Sequence, residues 1–183
     1  MRFFNKFILV YILFVSCQSQ DDILEIQPLP DRINTENYEE FILIQIEDQQ
    51  FVFGADRKNQ DRKNLGAELV VRSSSVGVLY HSLIFWGGID NVDFRELQRL
   101  GGTIEEFLGE GIYKTGREKE SNCDYFDFGV SWYSHYNTEE VGYLKVSFWD
   151  GKTLEGNFDI MVHNSLNQSQ SKNITGEFKF KIE

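Results

Sequence analysis

Three segments near the C-terminus alternate apolar and polar residues with a period of two. Leu144, Val146 and Phe148 oppose Tyr143, Lys145, Ser147 and Trp149. Phe158, Ile160 and Val162 oppose Asn157, Asp159, Met161 and His163, and Phe178, Phe180 and Ile182 oppose Glu177, Lys179 and Lys181. Alternation with one charged face predicts antiparallel strands with one side in water. They are expected at 142–149, 154–163 and 174–182, and Asp150-Gly151 favours a tight hairpin between the first two.

Shorter β-branched and aromatic runs extend the pattern towards the N-terminus. Strands are expected at 41–46 and 51–53 around a turn at 47–50, and then at 68–72, 76–86, 111–114 and 125–136. One stretch reads differently. Phe94, Leu97 and Leu100 recur at a spacing of three, with Asp93 and Glu96 as a capping pair and Gly101 as a stop, predicting a short helix over 91–101. Thr103-Ile104-Glu105-Glu106 offers a further capped helical turn. So short a helix must bury its stripe on the sheet, beside 76–86. The expected fold is all-β and mainly antiparallel over 41–183. It is a β-sandwich or a flattened barrel of about nine strands with one short inserted helix.

The chain begins in another style. Arg2 and Lys6 precede an unbroken apolar run from Phe7 to Val15, followed by Ser16 and Cys17. That run is too short to span a bilayer and has the charged flank of a secretory signal peptide, here assigned to residues 1–16. Cys17 directly after the apolar core is the expected site of lipidation, although Phe14 stands where such signals carry leucine and Leu13 lies one place earlier. Ordinary secretory cleavage between Ser16 and Gln20 is the competing reading. Residues 17–40 then form the lipidated cysteine and a tether, which holds both prolines, Pro28 and Pro30. Gln18-Ser19-Gln20-Asp21-Asp22 resembles the acidic signal that follows the cysteine in surface-exported Bacteroidota lipoproteins.

Charge narrows the partners. Losing residues 1–16, with Arg2 and Lys6, takes the formal net charge from −11 to −13. That balance disfavours nucleic acid and anionic headgroups, so membrane attachment has to come from the lipid. With Cys17 acylated, Cys123 has no intramolecular partner. It lies among acids that raise a thiol pKa, which argues against a nucleophilic role.

Catalytic motifs are not recognisable. Gly151-Lys152-Thr153 imitates the end of a phosphate loop, but Val146 stands where the first glycine belongs and a strand follows. His81, His135 and His163 fall on separate strands, and His81 shares a face with Leu79, Leu83 and Phe85, which predicts a buried histidine. No metal site or cofactor is expected. Glu118, Glu120, Asp124 and Asp127 surround a loop without the EF-hand order and read as solvated. A glycosidase pair depends on a separation that only the fold sets.

Aromatics carry the remaining candidate. Tyr125, Trp132, Tyr133, Tyr136, Tyr143 and Trp149 lie on both faces of adjacent expected strands. Opposite Phe128, Val130 and Trp132 stand Ser131, Tyr133 and His135, so Tyr133 and His135 are the candidate ligand-binding residues on a wet face.

The order Gly111-Ile112-Tyr113, Gly142-Tyr143-Leu144-Lys145-Val146, Gly156-Asn157-Phe158 and Gly176-Glu177-Phe178 resembles a group of small Bacteroidota lipoproteins of unknown function, over residues 41–183. The resemblance implies a β-sandwich and carries over no functional residues. The resulting expectation is a non-catalytic, lipid-anchored envelope protein of the bacterial outer membrane, exposed at the cell surface. It would meet the membrane through its lipid, bind a protein or carbohydrate ligand, and bind no nucleic acid. The alternatives are a lipocalin-like carrier of a small apolar ligand and, third, a carbohydrate-active enzyme.

Overall fold

The computed structural model describes residues 33–56, 64–90, 96–136 and 139–182. They form one antiparallel sheet of eleven strands. These are β1 (Tyr38–Ile46), β2 (Gln49–Asp56), β3 (Leu65–Ser73), β4 (Leu79–Asp90), β5 (Glu96–Ile104), β6 (Gly111–Lys114), β7 (Ser121–Asp127), β8 (Val130–Tyr133), β9 (Gly142–Trp149), β10 (Thr153–Asn164) and β11 (Ser171–Lys181). The main path runs β2-β1-β11-β10-β8-β7-β5-β4-β3. β10 forks. Its residues 154–160 pair with β9, which carries β6, whereas His163 and Asn164 pair with β8.

The sheet curls into a half-barrel, within the all-β, mainly antiparallel class expected. Phe85 of β4 stacks on Phe178 of β11 at 5.1 Å and meets Phe180 at 5.8 Å, although those strands are far apart in the sheet order. Side chains close the curl where β2 and β3 approach. A β-carbon at Gly87 would sit 2.9 Å from Ile42 Cδ1 and 3.1 Å from Leu65 Cδ1, so glycine there lets the two walls meet.

Alternation decides which way each residue points. On β10, Leu154, Phe158, Ile160 and Val162 are buried between partly exposed neighbours. The two Gly-x-Phe segments interlock across β10 and β11. Gly156 pairs with Phe178 and Phe158 pairs with Gly176, each ring lying over the opposing glycine. Each ring buries apolar area worth about 1.5–3 kcal/mol relative to exposure.

The structure departs from several expectations. Residues 91–95 lie outside the described residues, but the rest of the expected helix at 91–101 is strand β5, paired to β4 on one side and β7 on the other. Leu100, Gly102 and Ile104 point inward and Arg99, Gly101 and Thr103 outward, so the period over this stretch is two. Thr103 and Ile104 finish that strand and open no helical turn. The expected strand 125–136 is a hairpin. Phe128 and Gly129 take φ of 45° and 93°, the backbone of a two-residue turn with both positions left-handed, and a 3-10 turn follows at Ser134–Tyr136. His81 is exposed, because β4 extends past the core at its first residues, where Leu79 is also exposed. The expected domain start at 41 falls inside β1, where Glu40 is already buried and accepts from the Lys181 backbone N–H at 2.9 Å.

Candidate ligand-binding face

Strand register builds a row across the outer face. Gly66 pairs with Trp86, Trp86 with Gly101, Gly101 with Asp124, and Asp124 with Tyr133. His163 pairs with Tyr133 in turn. The next row along the strands carries Gly88, Arg99 and Phe126. On this face glycines alternate with large side chains, and the result is a trough.

The half-buried indole of Trp86 leans over β3. A β-carbon at Gly66 would be 2.8 Å from its Cζ2. From the other side Asp124 reaches over Gly101, its Oδ1 2.9 Å from where a β-carbon there would be. Between them lies an open hollow of about 240 Å³, walled by Trp86, Ile84 and Thr103 and by Arg99 with Asp124, over a floor of Gly88 and Gly101. Arg99 Nη2 and Asp124 Oδ2 are 3.6 Å apart, with 43% and 38% of their side chains exposed. An ion pair so wet contributes little to stability. Its charges are partly exposed at the wall of the hollow.

The candidate residues Tyr133 and His135 come together at the β8 end of this row. Their rings are 5.0 Å apart, and Tyr136 joins at 5.2 Å from each. His135 is exposed on the 3-10 turn, and Tyr133 and Tyr136 are partly so. Their neighbour Trp132 faces inward. Tyr143 is partly exposed on β9, away from this row, and Trp149 packs edge-on against Phe107 at 5.5 Å. Lys172 Nζ sits 4.5 Å from the Trp132 ring centre, and the Trp132 indole N–H is buried without a hydrogen-bond partner among the described residues.

A second hollow, about 440 Å³, opens at one mouth of the half-barrel between Ile46, Phe51, Gln98, Tyr125, Asp127 and Lys172. Its polar groups close on one another. Lys172 Nζ donates to Asp127 Oδ2 at 2.7 Å, and Gln98 Nε2 donates to Tyr125 Oη at 3.2 Å and Asp127 Oδ1 at 3.3 Å. Burial, and then the Asp127 charge, push the Tyr125 hydroxyl pKa up.

The other singled-out groups disperse. Cys123 is buried and its thiol donates to the Gly101 carbonyl at 2.8 Å. Burial, and then Asp124, raise its pKa well above the usual thiol range. Glu120 accepts from the Lys114 backbone N–H at 3.1 Å, Glu118 is exposed, and Asp124 and Asp127 lie on opposite faces of β7. Gly151 occupies a hairpin turn at φ 90°, and Asp150 accepts from the backbone N–H groups of Thr153 and Lys152, which lower its carboxyl pKa. His163 Nδ1 lies 3.2 Å from the Gln168 carbonyl. Among the described residues no three His, Cys, Asp or Glu side chains gather as a metal set.

Trp86 was legible only as a strand residue. Its site depends on the register of β3, β4, β5 and β7, which no local pattern encodes. The available signal was glycine inside strand-like runs, at Gly66, Gly88 and Gly101, which marks a close approach or an open surface. Comparison with protein-family models, curated proteins and solved structures finds no match to this chain.

Proposed function

We propose that this protein is a lipid-anchored lipoprotein of the bacterial outer membrane, displayed at the cell surface. Its half-barrel is a non-catalytic binding module that works through the outer face from β4 to β8. The anchor rests on the pattern of residues 1–22, with Cys17 as the acylated residue and the acidic segment after it. The resemblance to small Bacteroidota lipoproteins supports the same placement. The observation that carries the binding role is the glycine-floored trough between Trp86 and the Arg99–Asp124 pair, in line with Tyr133 and His135.

Two alternatives fit less well. A carrier needs an apolar interior, and the rings of Phe85, Phe158, Phe178 and Phe180 occupy that space. A glycosidase needs two carboxylates across one cleft. Asp124 and Asp127 are close in sequence but point to opposite faces. The anchor is tested by fractionating cells that express the wild type, with and without globomycin, and Cys17→Ala. Loss of membrane association on changing Cys17, and accumulation of the unprocessed form with globomycin, are the expected results. Membrane partition that ignores both would overturn the anchor.

A further inference from the structure

The trough also narrows the chemistry of its ligand. We infer that it binds a neutral oligosaccharide, one sugar ring stacked on Trp86 with hydroxyls on Asp124 and Arg99, and a further ring reaching Tyr133. This rests on the outer face being the binding face.

Charge among the described residues argues against ionic ligands first. Arg99 and Asp124 neutralise each other at 3.6 Å, and the chain as a whole carries −11. Among the described residues Arg99 is the one cation lining the hollow, and it is already paired, while a cationic ligand would have to draw Asp124 from it. A purely apolar ligand fails differently. Covering the pair would strip its water without replacing those hydrogen bonds, a cost that apolar burial in so small a hollow does not offset. Hydroxyl groups both donate and accept, so a polyol replaces that water at the carboxylate and at the guanidinium together.

Shape excludes an extended peptide. Such a chain binds a sheet by pairing along a free edge. This row crosses β4, β5 and β7 in mid-sheet, where those strands already pair with one another. What the row offers is side-chain faces. The indole is held against Gly66 and needs little ordering to present a flat apolar surface to the C–H face of a sugar ring. Tyr133 lies three strands further on, about 14 Å at the usual strand spacing. His135 and Tyr136 brace it at 5.0 and 5.2 Å. Two aromatic faces that far apart, with a hydroxyl-binding pair between them, suit more than one ring.

The test titrates the detergent-solubilised full chain, by calorimetry, with short neutral oligosaccharides of glucose, galactose, mannose, xylose and N-acetylglucosamine. An oligogalacturonate and an uncharged tripeptide serve as controls. At least one neutral oligosaccharide is expected to bind with a Kd of roughly 10 µM to 10 mM. Trp86→Ala and Asp124→Asn should each weaken it about tenfold or more, while Trp86→Phe retains part of the affinity. Asp124→Asn changes a partly exposed side chain without changing its size and keeps the test valid if Trp86→Ala misfolds. Failure of every neutral oligosaccharide overturns the inference, as does sugar binding that ignores both Trp86 and Asp124. Trp86-dependent binding of the tripeptide alone overturns the ligand class and leaves the binding face standing. Binding that none of these substitutions affects counts against the face itself.

Discussion

The phenyl ring of Phe85 lies over Gly102, its partner on the neighbouring strand, and fills the space that a β-carbon there would need. The same ring stacks on Phe178 across the interior, so the absence of one side chain positions a ring that joins the two walls. Gly102→Ala is therefore expected to destabilise the protein by about 1–3 kcal/mol through overpacking. Had residues 91–101 formed a helix ending nearby, alanine would have been neutral or stabilising. Denaturant unfolding of the wild type, Gly102→Ala, Phe85→Leu and the double variant checks this. The cost of the alanine should fall by about 0.5 kcal/mol or more when Phe85 is shortened. Additive costs would show that the ring and the glycine are independent.

Cys123 should be inert to thiol reagents in the native state. It is buried with its thiol on the Gly101 carbonyl, and its raised pKa leaves little thiolate at neutral pH. In the Cys17→Ala background it is the one remaining thiol, since the chain has two cysteines. Modification should follow opening of the sheet and accelerate sharply in denaturant. Rapid labelling without denaturant would contradict this packing.

Tyr125 sets an alkaline limit. Its hydroxyl pKa is raised by burial first and then by Asp127, so the fold favours the neutral form. A group raised above its unfolded value contributes stability that is complete below that value, about pH 10 for tyrosine, and is lost as pH climbs towards the folded value. Denaturant midpoints should fall above about pH 10, and less steeply in Tyr125→Phe. An equally steep fall in both proteins would remove Tyr125 from the account.

The C-terminal strands were readable because each has one wet face, and the expected 142–149 coincides with β9. The hairpin at Asp150-Gly151 followed from turn chemistry. The stretch after Phe94 misled, because Leu97 and Leu100 fit a helical spacing. The adjacent glycines Gly101 and Gly102 belong to a strand whose outer and inner faces need room for Asp124 and Phe85. The Gly-x-Phe echo was visible as similarity, yet its meaning, two segments interlocking ring over glycine, required the register of β10 against β11. The same holds for the site. Tyr133 and His135 could be singled out locally, but Trp86, Arg99 and Asp124 become neighbours only through long-range pairing. The bond from Lys172 to Asp127 likewise spans 45 positions.

Binding on the outer face, and not in the interior, is tested most directly by the indole N–H signals of the chain's three tryptophans. Trp86 borders the trough, Trp132 is buried beside the mouth, and Trp149 packs on Phe107. Proton–nitrogen spectra would be recorded on the full chain during titration with the oligosaccharide panel and, separately, with laurate as an apolar probe. An oligosaccharide is expected to move the Trp86 signal progressively, with Trp132 and Trp149 unchanged, and laurate to move none of the three. A Trp132 signal that shifts with laurate while Trp86 stays fixed in every titration would contradict binding on the outer face and place the ligand inside the half-barrel.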